Sequence, residues 1–507
     1  MLFTSYQFIL FLCLTGVLFY LVPKRFQTVV LLMASYLFYY FAGSSFILYI
    51  LLTTVTTYIA AIAITCAGKD EGKKKLVLFL CLFVNLGLLA ALKYGNFAIH
   101  TVNQIGSLFG RTGGIQRVDW VLPLGISFYT FQSVGYLVDV YRGKYPAEKN
   151  PVRFALFISF FPQLIQGPIG RFDDLAKTMF VPKQWKAERI SSGLQRILWG
   201  YFKKLVIADR ILIGVNTIIQ NPESYRGAYV VIGALFYAFE LYADFTGGID
   251  ITIGIGEVFG IKMTENFKRP FFSKTVKEYW TRWHITMGTW FKDYVFYPLA
   301  VCRPVRALTR ACGKTFGRRA GKKIPVYICS FCVWFLTGLW HGASWNFIFW
   351  GLGNFLILMI SSELEPVFQK FHSRFPKCKG NVAFRMFQVL RTIALMSFLR
   401  MFDCYRSVTE TFRQMGSVVT GWDSRIFSDG SLLSLGLSMT DYLILLLGLA
   451  LCIFVSLLQR KGSVRMQMKS LPVGARVAIW YGLFLTVLMF GAYGVGYDAT
   501  QFIYNQF

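Results

Sequence analysis

Long stretches of this chain carry no charged residue. Met1–Pro23 and Phe26–Gly68 lack Asp, Glu, Lys and Arg altogether, as do Leu76–Leu92, Trp120–Val138, Phe154–Gly170, Ile324–Ser362, Tyr442–Gln459 and Val477–Tyr497. A helix crossing the hydrocarbon core of a bilayer needs roughly 20 such residues. Lipid offers no hydrogen bonds, so each run must satisfy its own backbone, which favours helices. The pattern predicts an all-α, polytopic integral membrane protein with roughly 11–13 transmembrane helices plus re-entrant and amphipathic segments. With 55% hydrophobic and only 15% charged residues, a soluble chain of 507 residues has too little polar surface to cover itself. Disorder is excluded for the same reason, because so much apolar surface outweighs the entropy of ordering.

Individual runs carry further information. Phe154–Gly170 is interrupted by Pro162, Gly167, Pro168 and Gly170, which a straight lipid-facing helix tolerates badly, so it reads as a broken or re-entrant segment buried in protein. Between Gly193 and Gly260 the charges Lys203, Lys204, Asp209, Arg210, Glu240, Asp244 and Asp250 are spaced among apolar residues. Helices there must shelter those charges in the bundle interior or at its surface. Ile324–Ser362 is long enough for two spans, with the bend at Gly342-Ala343, and Arg385–Met401 is a shorter candidate. Asp403–Met439 reads as a loop with amphipathic pieces. Phe8–Val22 has neither the basic start nor the small-residue cleavage site of a signal peptide and is expected to be the first span. No repeat or soluble domain interrupts the pattern, so 1–507 is expected to form a single integral membrane domain.

The 53 Lys+Arg against 25 Asp+Glu give a formal charge of +28. The cations sit between the apolar runs, at Lys24-Arg25, Lys69–Lys75 and Arg303–Lys323. That placement reports topology, so nucleic acid is not an expected partner. The basic loops are expected in the cytoplasm, with the N-terminus and the tail after Asp498 outside. Contact with anionic lipid headgroups is the secondary reading of the same cations. Most of the ten cysteines lie inside apolar runs, and Cys329-Ser-Phe-Cys332 has no second pair at zinc spacing. Neither a metal site nor a disulfide framework is expected.

Of the four histidines, His100 and His372 fall in polar stretches and read as solvated or interfacial. His341 lies inside the longest charge-free run after Phe26–Gly68, in Leu339-Trp340-His341-Gly342-Ala343-Ser344-Trp345-Asn346. A core histidine bonded to a backbone carbonyl is the plain alternative. Against it, helical spacing puts Trp334, Gly338 and Trp345 on its face, and Gly342 is expected to leave open space beside the ring. An imidazole walled by aromatics with room for a substrate suits a general base. His284 lies in Tyr279-Trp280-Thr281-Arg282-Trp283-His284-Ile285-Thr286, followed by Trp290-Phe291-Lys292-Asp293-Tyr294. Alternating aromatics, charges and hydroxyls make a poor lipid-facing helix and a good lining for a polar channel, although an interfacial amphipathic helix would look similar. Gly254-Ile-Gly256-Glu-Val-Phe-Gly260 has no preceding strand, so helix packing explains it better than a dinucleotide loop. No Walker A, H-E-x-x-H or G-x-S-x-G occurs. Asp244 and Asp250 could line an ion path, which keeps a transporter as a reading of a different class.

Six ordered stretches resemble membrane-bound O-acyltransferases. They are Leu122–Gln132 (LPLGISFYTFQ), Phe161–Ile169 (FPQLIQGPI), Tyr242–Gly247 (YADFTG), Trp280–Ile285 (WTRWHI), Trp290–Leu299 (WFKDYVFYPL) and Gly338–Gly342 (GLWHG). The chain is similar to the bacterial branch that holds the alginate O-acetylation membrane subunit and the teichoic-acid D-alanylation membrane protein. Its extra C-terminal spans and closing Phe502–Phe507 look more like the former, while the basic stretch Arg303–Lys323 departs from the family pattern. The resemblance implies N-terminal spans over 1–119, a catalytic core over 120–362 and C-terminal spans over 363–507. It also implies His341 as the catalytic base and His284 as a second catalytic residue that orients His341 or the thioester carbonyl. Trp280, Arg282, Trp283, Trp290, Lys292, Asp293, Trp340, Trp345, Asn346, Asp244, Gln132 and Gln166 would line the substrate tunnel. No bound cofactor is implied. The donor would be a cytosolic thioester, acetyl-CoA first and an acyl carrier protein thioester carrying D-alanine second. The acceptor would be a hydroxyl of a cell-surface polysaccharide, reached through an extracytoplasmic hydrolase-like partner, with the protein in the bacterial cytoplasmic membrane.

Overall fold

The computed structural model describes residues 3–110, 113–119 and 121–493, all of them in helices, turns or loops and none in a strand. The tail after Asp498, with Phe502–Phe507, lies outside the described residues. Several helices begin at a polar side chain that caps their first turn. Ser5 accepts from the Phe8 amide ahead of Tyr6–Leu21, and Asp70 from the Lys73 amide ahead of Glu71–Leu108. Ser438 and Asp441 form a reciprocal capping box at Met439–Leu458. Such caps satisfy amides that the helix itself leaves open.

Among the described residues, eight helices are long and apolar enough to cross a membrane: Ile47–Cys66, Glu71–Leu108, Ala228–Val258, Gly317–His341, Trp345–Glu363, Val382–Cys404, Met439–Lys461 and Val473–Phe490. The chain is thus an all-α, multi-pass membrane protein. The difference from the expected 11–13 arises because other apolar runs fold into shorter pieces. Tyr6–Leu21, Gln27–Ala42 and Ile126–Tyr141 have 16 residues each, about 24 Å of helix against a core of about 30 Å. Asp403–Met439 folds as expected into short pieces, the amphipathic Val408–Thr420 and two 3₁₀ turns.

Contacts group the chain into two compact units. The first contains residues 1–197 and 249–264 of the helical part. It holds the broken segment, which folds as Pro151–Ser159 and Phe161–Gln166 with an extended Phe160 between them. Every residue from 156 to 170 is buried. The backbone groups freed by the break find partners inside the unit. The Phe161 amide donates to Ser35 Oγ (3.2 Å), Pro162 O accepts from Thr252 Oγ1 (3.0 Å), and Pro168 O accepts from Gln163 Nε2 (3.2 Å). Gly254 also has the packing role expected of it, since a Cβ there would fall 2.8 Å from Gly193 O.

Of the described residues, the second unit contains 198–248 and 265–493. Its charges are sheltered as their spacing requires. Lys204 is fully buried on a π-helical turn, Phe202–Ala208, and its ammonium meets Asp244 (2.6 Å) and Asp209 (2.7 Å). Lys203 donates to Thr246 Oγ1 (2.8 Å), and Arg210 pairs with Asp441. Ile324–Ser362 divides where expected, into Gly317–His341 and Trp345–Glu363. The two helices cross on small residues, because a Cβ on Gly338 would fall 2.4 Å from Phe347 O and one on Gly351 2.4 Å from Trp334 O. The basic stretch forms a helical hairpin of Arg303–Thr315 and the start of Gly317–His341, in close contact at Gly313 and Gly321. Removing the Lys204 charge alone, by Lys204→Met, leaves Asp244 and Asp209 buried without it. It is expected to cost about 3–5 kcal/mol, measured as lost thermal stability of the detergent-purified protein.

Candidate active site

The site grows from a backbone turn in the second unit. The motif around His284 does not form one helix, because it breaks into Val276–Arg282 and Ile285–Phe291. His284 stands between them in the left-handed region, at φ +47. That conformation is strained for a residue with a Cβ and persists only where surroundings enforce it. Asn266, from the loop after Ala228–Val258, enforces it. Its carbonyl accepts from the Ile285 amide (3.0 Å), and its Oδ1 accepts from the Thr286 amide (3.0 Å) and Thr286 Oγ1 (2.9 Å). The same amide lies against His284 Nδ1, with Nδ2 at 3.2 Å and Oδ1 at 3.3 Å.

His284 lies outside the eight spanning helices. Burial pushes its imidazole down from 6.5 to about 3, and the Arg400 cation adds to the shift. The ring is therefore neutral at ordinary pH. Because its folded pKa lies below the unfolded one, its contribution to stability is complete above pH 6.5 and declines as the pH falls toward 3.

Aromatic rings connect the two histidines and their surroundings. Trp340 lies edge-on to His284 (5.7 Å between centroids) and to His341 (5.0 Å). Trp350 lies edge-on to His341 at 4.5 Å. His341 is buried at the last turn of Gly317–His341, and His284 is buried completely. Trp280 packs against Trp334 and Trp350, and its indole N–H donates to Asn354 Oδ1 (3.1 Å). Trp283 is stacked on Tyr279 and packed on Phe267.

Two expectations about His341 need correcting. Trp345 does not share its helix face; it opens the next helix and is 44% exposed, while Trp350, one helix on, supplies the contacting ring. Nor is there open space at Gly342. The glycine is buried, and a Cβ there would fall 2.2 Å from the Phe347 ring.

The other expected residues are placed as follows. Asn346 is buried and donates from Nδ2 to Tyr405 O (2.6 Å). Arg282 pairs with Glu278 (2.6 Å), Trp290 packs on Phe291 and Tyr294, and Asp293 is half-buried. Lys292 is exposed, with its ammonium over the Tyr297 ring. Gln132 and Gln166 belong to the first unit, where both are buried and Gln132 Nε2 donates to Phe157 O (2.5 Å). Asp244 is held by Lys204, and Asp250, in the first unit, by Arg196 (2.8 Å). Carboxylates already matched to buried cations are weak candidates for an ion path. Asn266, Trp350, Asn354 and Arg400 were not legible as site residues. Arg400 alone left a signal, as a charge in an apolar helix.

Two buried imidazoles set among indoles in an all-helical membrane protein make a site suited to proton and group transfer away from water. Residues 146–401 match the sequence profile of the membrane-bound O-acyltransferase family. The chain belongs to that family and is an acyltransferase. It is 36% identical over 367 residues to the probable alginate O-acetylase of Pseudomonas syringae pv. tomato, covering 72% of this chain and 67% of that protein. The peptidoglycan O-acetyltransferase of Helicobacter pylori is 32% identical over 60% of this chain and 58% of its own length. The teichoic acid D-alanyltransferase of Bacillus subtilis is 28% identical, over 49% and 61% respectively.

Asn266→Ala removes the side-chain amide that holds the His284 turn. It should cost about 1–3 kcal/mol in stability and lower acyl transfer further than that loss of folded protein explains. Initial rates and thermal melts on the same purified sample check both effects.

Proposed function

We propose that the protein passes an acetyl group from a cytosolic thioester, acetyl-CoA, to hydroxyls of an extracytoplasmic polysaccharide. The observation that carries this reading is that His284 and His341 both make edge-on contact with the one ring of Trp340, inside the segment that matches the family. His341 accepts the proton of the acceptor hydroxyl as its oxygen attacks the thioester carbonyl. The tetrahedral adduct collapses to the ester as the C–S bond breaks, and the protonated His341 returns its proton to the leaving sulfur, which departs as free CoA. His284, fixed by Asn266, orients the reacting carbonyl or the His341 side of the pocket. Indole walls keep water from competing for the thioester. The similarity to alginate and peptidoglycan O-acetyltransferases supports acetyl as the group and a polysaccharide as the acceptor. On this reading the basic loops face the cytosol, where the Arg303–Lys323 hairpin meets the donor's phosphates, and the N-terminus lies outside. An extracytoplasmic hydrolase-like partner completes delivery to the polymer.

His341→Ala should abolish polymer acylation while the protein still inserts and folds; retained acylation in that variant would remove the central assignment. His341→Gln keeps a donor and an acceptor but cannot take the proton, so turnover should fall by about 10²–10⁴-fold. His284→Gln should be milder, and a larger loss there than at His341 would reverse the two roles.

The donor is checked by incubating membranes holding the protein and its partner with labelled acetyl-CoA or with D-alanyl carrier protein. Label should reach the polymer from acetyl-CoA. Label arriving only from the carrier protein would replace acetyl transfer with D-alanyl transfer, the chemistry named for the Bacillus subtilis relative.

A further inference from the structure

The spanning helix Val382–Cys404 carries a charge pair near its end that the chemistry above does not use. Arg400 Nη1 donates to Asp403 Oδ2 at 2.8 Å, and both side chains are buried. Full charges in a membrane-spanning helix are costly and tend to mark function. Neutralising Asp403 would be reason enough for a cation, but a lysine would serve that purpose too. What sets the arginine apart is what its guanidinium covers. Its Cζ lies 4.7 Å from the centroid of Trp350 and 5.6 Å from that of Trp283. Trp350 is the ring in edge contact with His341. Trp283 is joined directly to His284 at the strained turn. One cation thus touches an indole beside each histidine, Trp283 next to His284 in the chain and Trp350 packed against the His341 ring from the following helix. A delocalised, planar guanidinium can hold two indoles and a carboxylate together, whereas a compact ammonium cannot.

We propose that Arg400 is a positioning residue for acyl transfer: anchored by Asp403, its guanidinium clamps Trp283 and Trp350 and so sets the placement of the His284 and His341 rings. The inference rests on the reading of those histidines as the reacting pair.

Arg400→Lys is the discriminating variant, because it keeps the charge and the ion pair but loses the flat surface. The full-length protein is labelled with 5-fluorotryptophan, and the fluorine resonances of Trp283 and Trp350 are assigned with Trp283→Phe and Trp350→Phe. In Arg400→Lys both resonances should shift or broaden while the other tryptophans keep theirs. The kcat for acyl transfer should fall by about 10²-fold, with the KM for the donor changed less than about threefold. If Arg400→Lys does not fold, the pair Arg400→Met/Asp403→Asn carries the test, since it leaves no buried charge unmatched. Unmoved Trp283 and Trp350 resonances, or a wild-type kcat, would overturn the proposal. His341→Ala, assayed alongside, separates this idea from its premise. An active His341→Ala with shifted resonances in Arg400→Lys sinks the reading of the histidines and leaves the clamp. An inactive His341→Ala with unmoved resonances sinks the clamp alone.

Discussion

Hydrocarbon cannot hydrogen-bond, so each polar group carried into the membrane must find its partner within the protein. That constraint orders both units. In the first, the interrupted segment around Phe160 survives because Ser35, Thr252 and Gln163 take up the backbone groups that the break sets free. In the second, Lys204 is tolerated at full burial because two carboxylates meet it, and Arg400 because Asp403 does. None of these groups has solvent to fall back on, so each pairing fixes the relation of the helices that supply it.

The same constraint shapes the site. A histidine at φ +47 carries backbone strain, which is held in place by three hydrogen bonds accepted by the single residue Asn266. His341 needs no such device, since it completes a regular helix. Its setting comes from helix crossing. Gly338 and Gly351 let the Gly317–His341 and Trp345–Glu363 helices approach until no Cβ would fit, and this brings Trp350 against the imidazole. Close packing is also why Gly342 offers no cavity, as the Phe347 ring takes the space that a missing side chain leaves.

Much of this was legible beforehand, for identifiable reasons. Apolar runs must become helices in lipid, so the run Ile324–Ser362 could only fold back on itself, and it does so at Gly342–Ser344. Prolines and glycines in Phe154–Gly170 cannot be hidden in a straight helix, so the break was visible in composition alone. The charges spaced among apolar residues between Gly193 and Gly260 had to be sheltered in the bundle interior or at its surface. The span count was less secure, because a run of apolar residues does not say whether it becomes one long helix or a 16-residue piece packed in protein. The histidines stood out by rarity and by the motifs around them. Asn266 did not, since one asparagine in a polar loop resembles any other until the turn it supports is known.

The chain by itself determined the elements: their helical character, where they break, which charges must be buried and which two histidines stand among aromatics. These follow from local composition, because the demand to satisfy backbone and charge acts residue by residue. Only the tertiary structure decided which group answers each demand. Trp350 against His341, Asn266 under His284, Asp244 beside Lys204 and Arg400 across two indoles each join residues distant in sequence. Such contacts depend on how helices cross and rotate. A charge-free run specifies that a helix forms, but its neighbours select the face it turns to them.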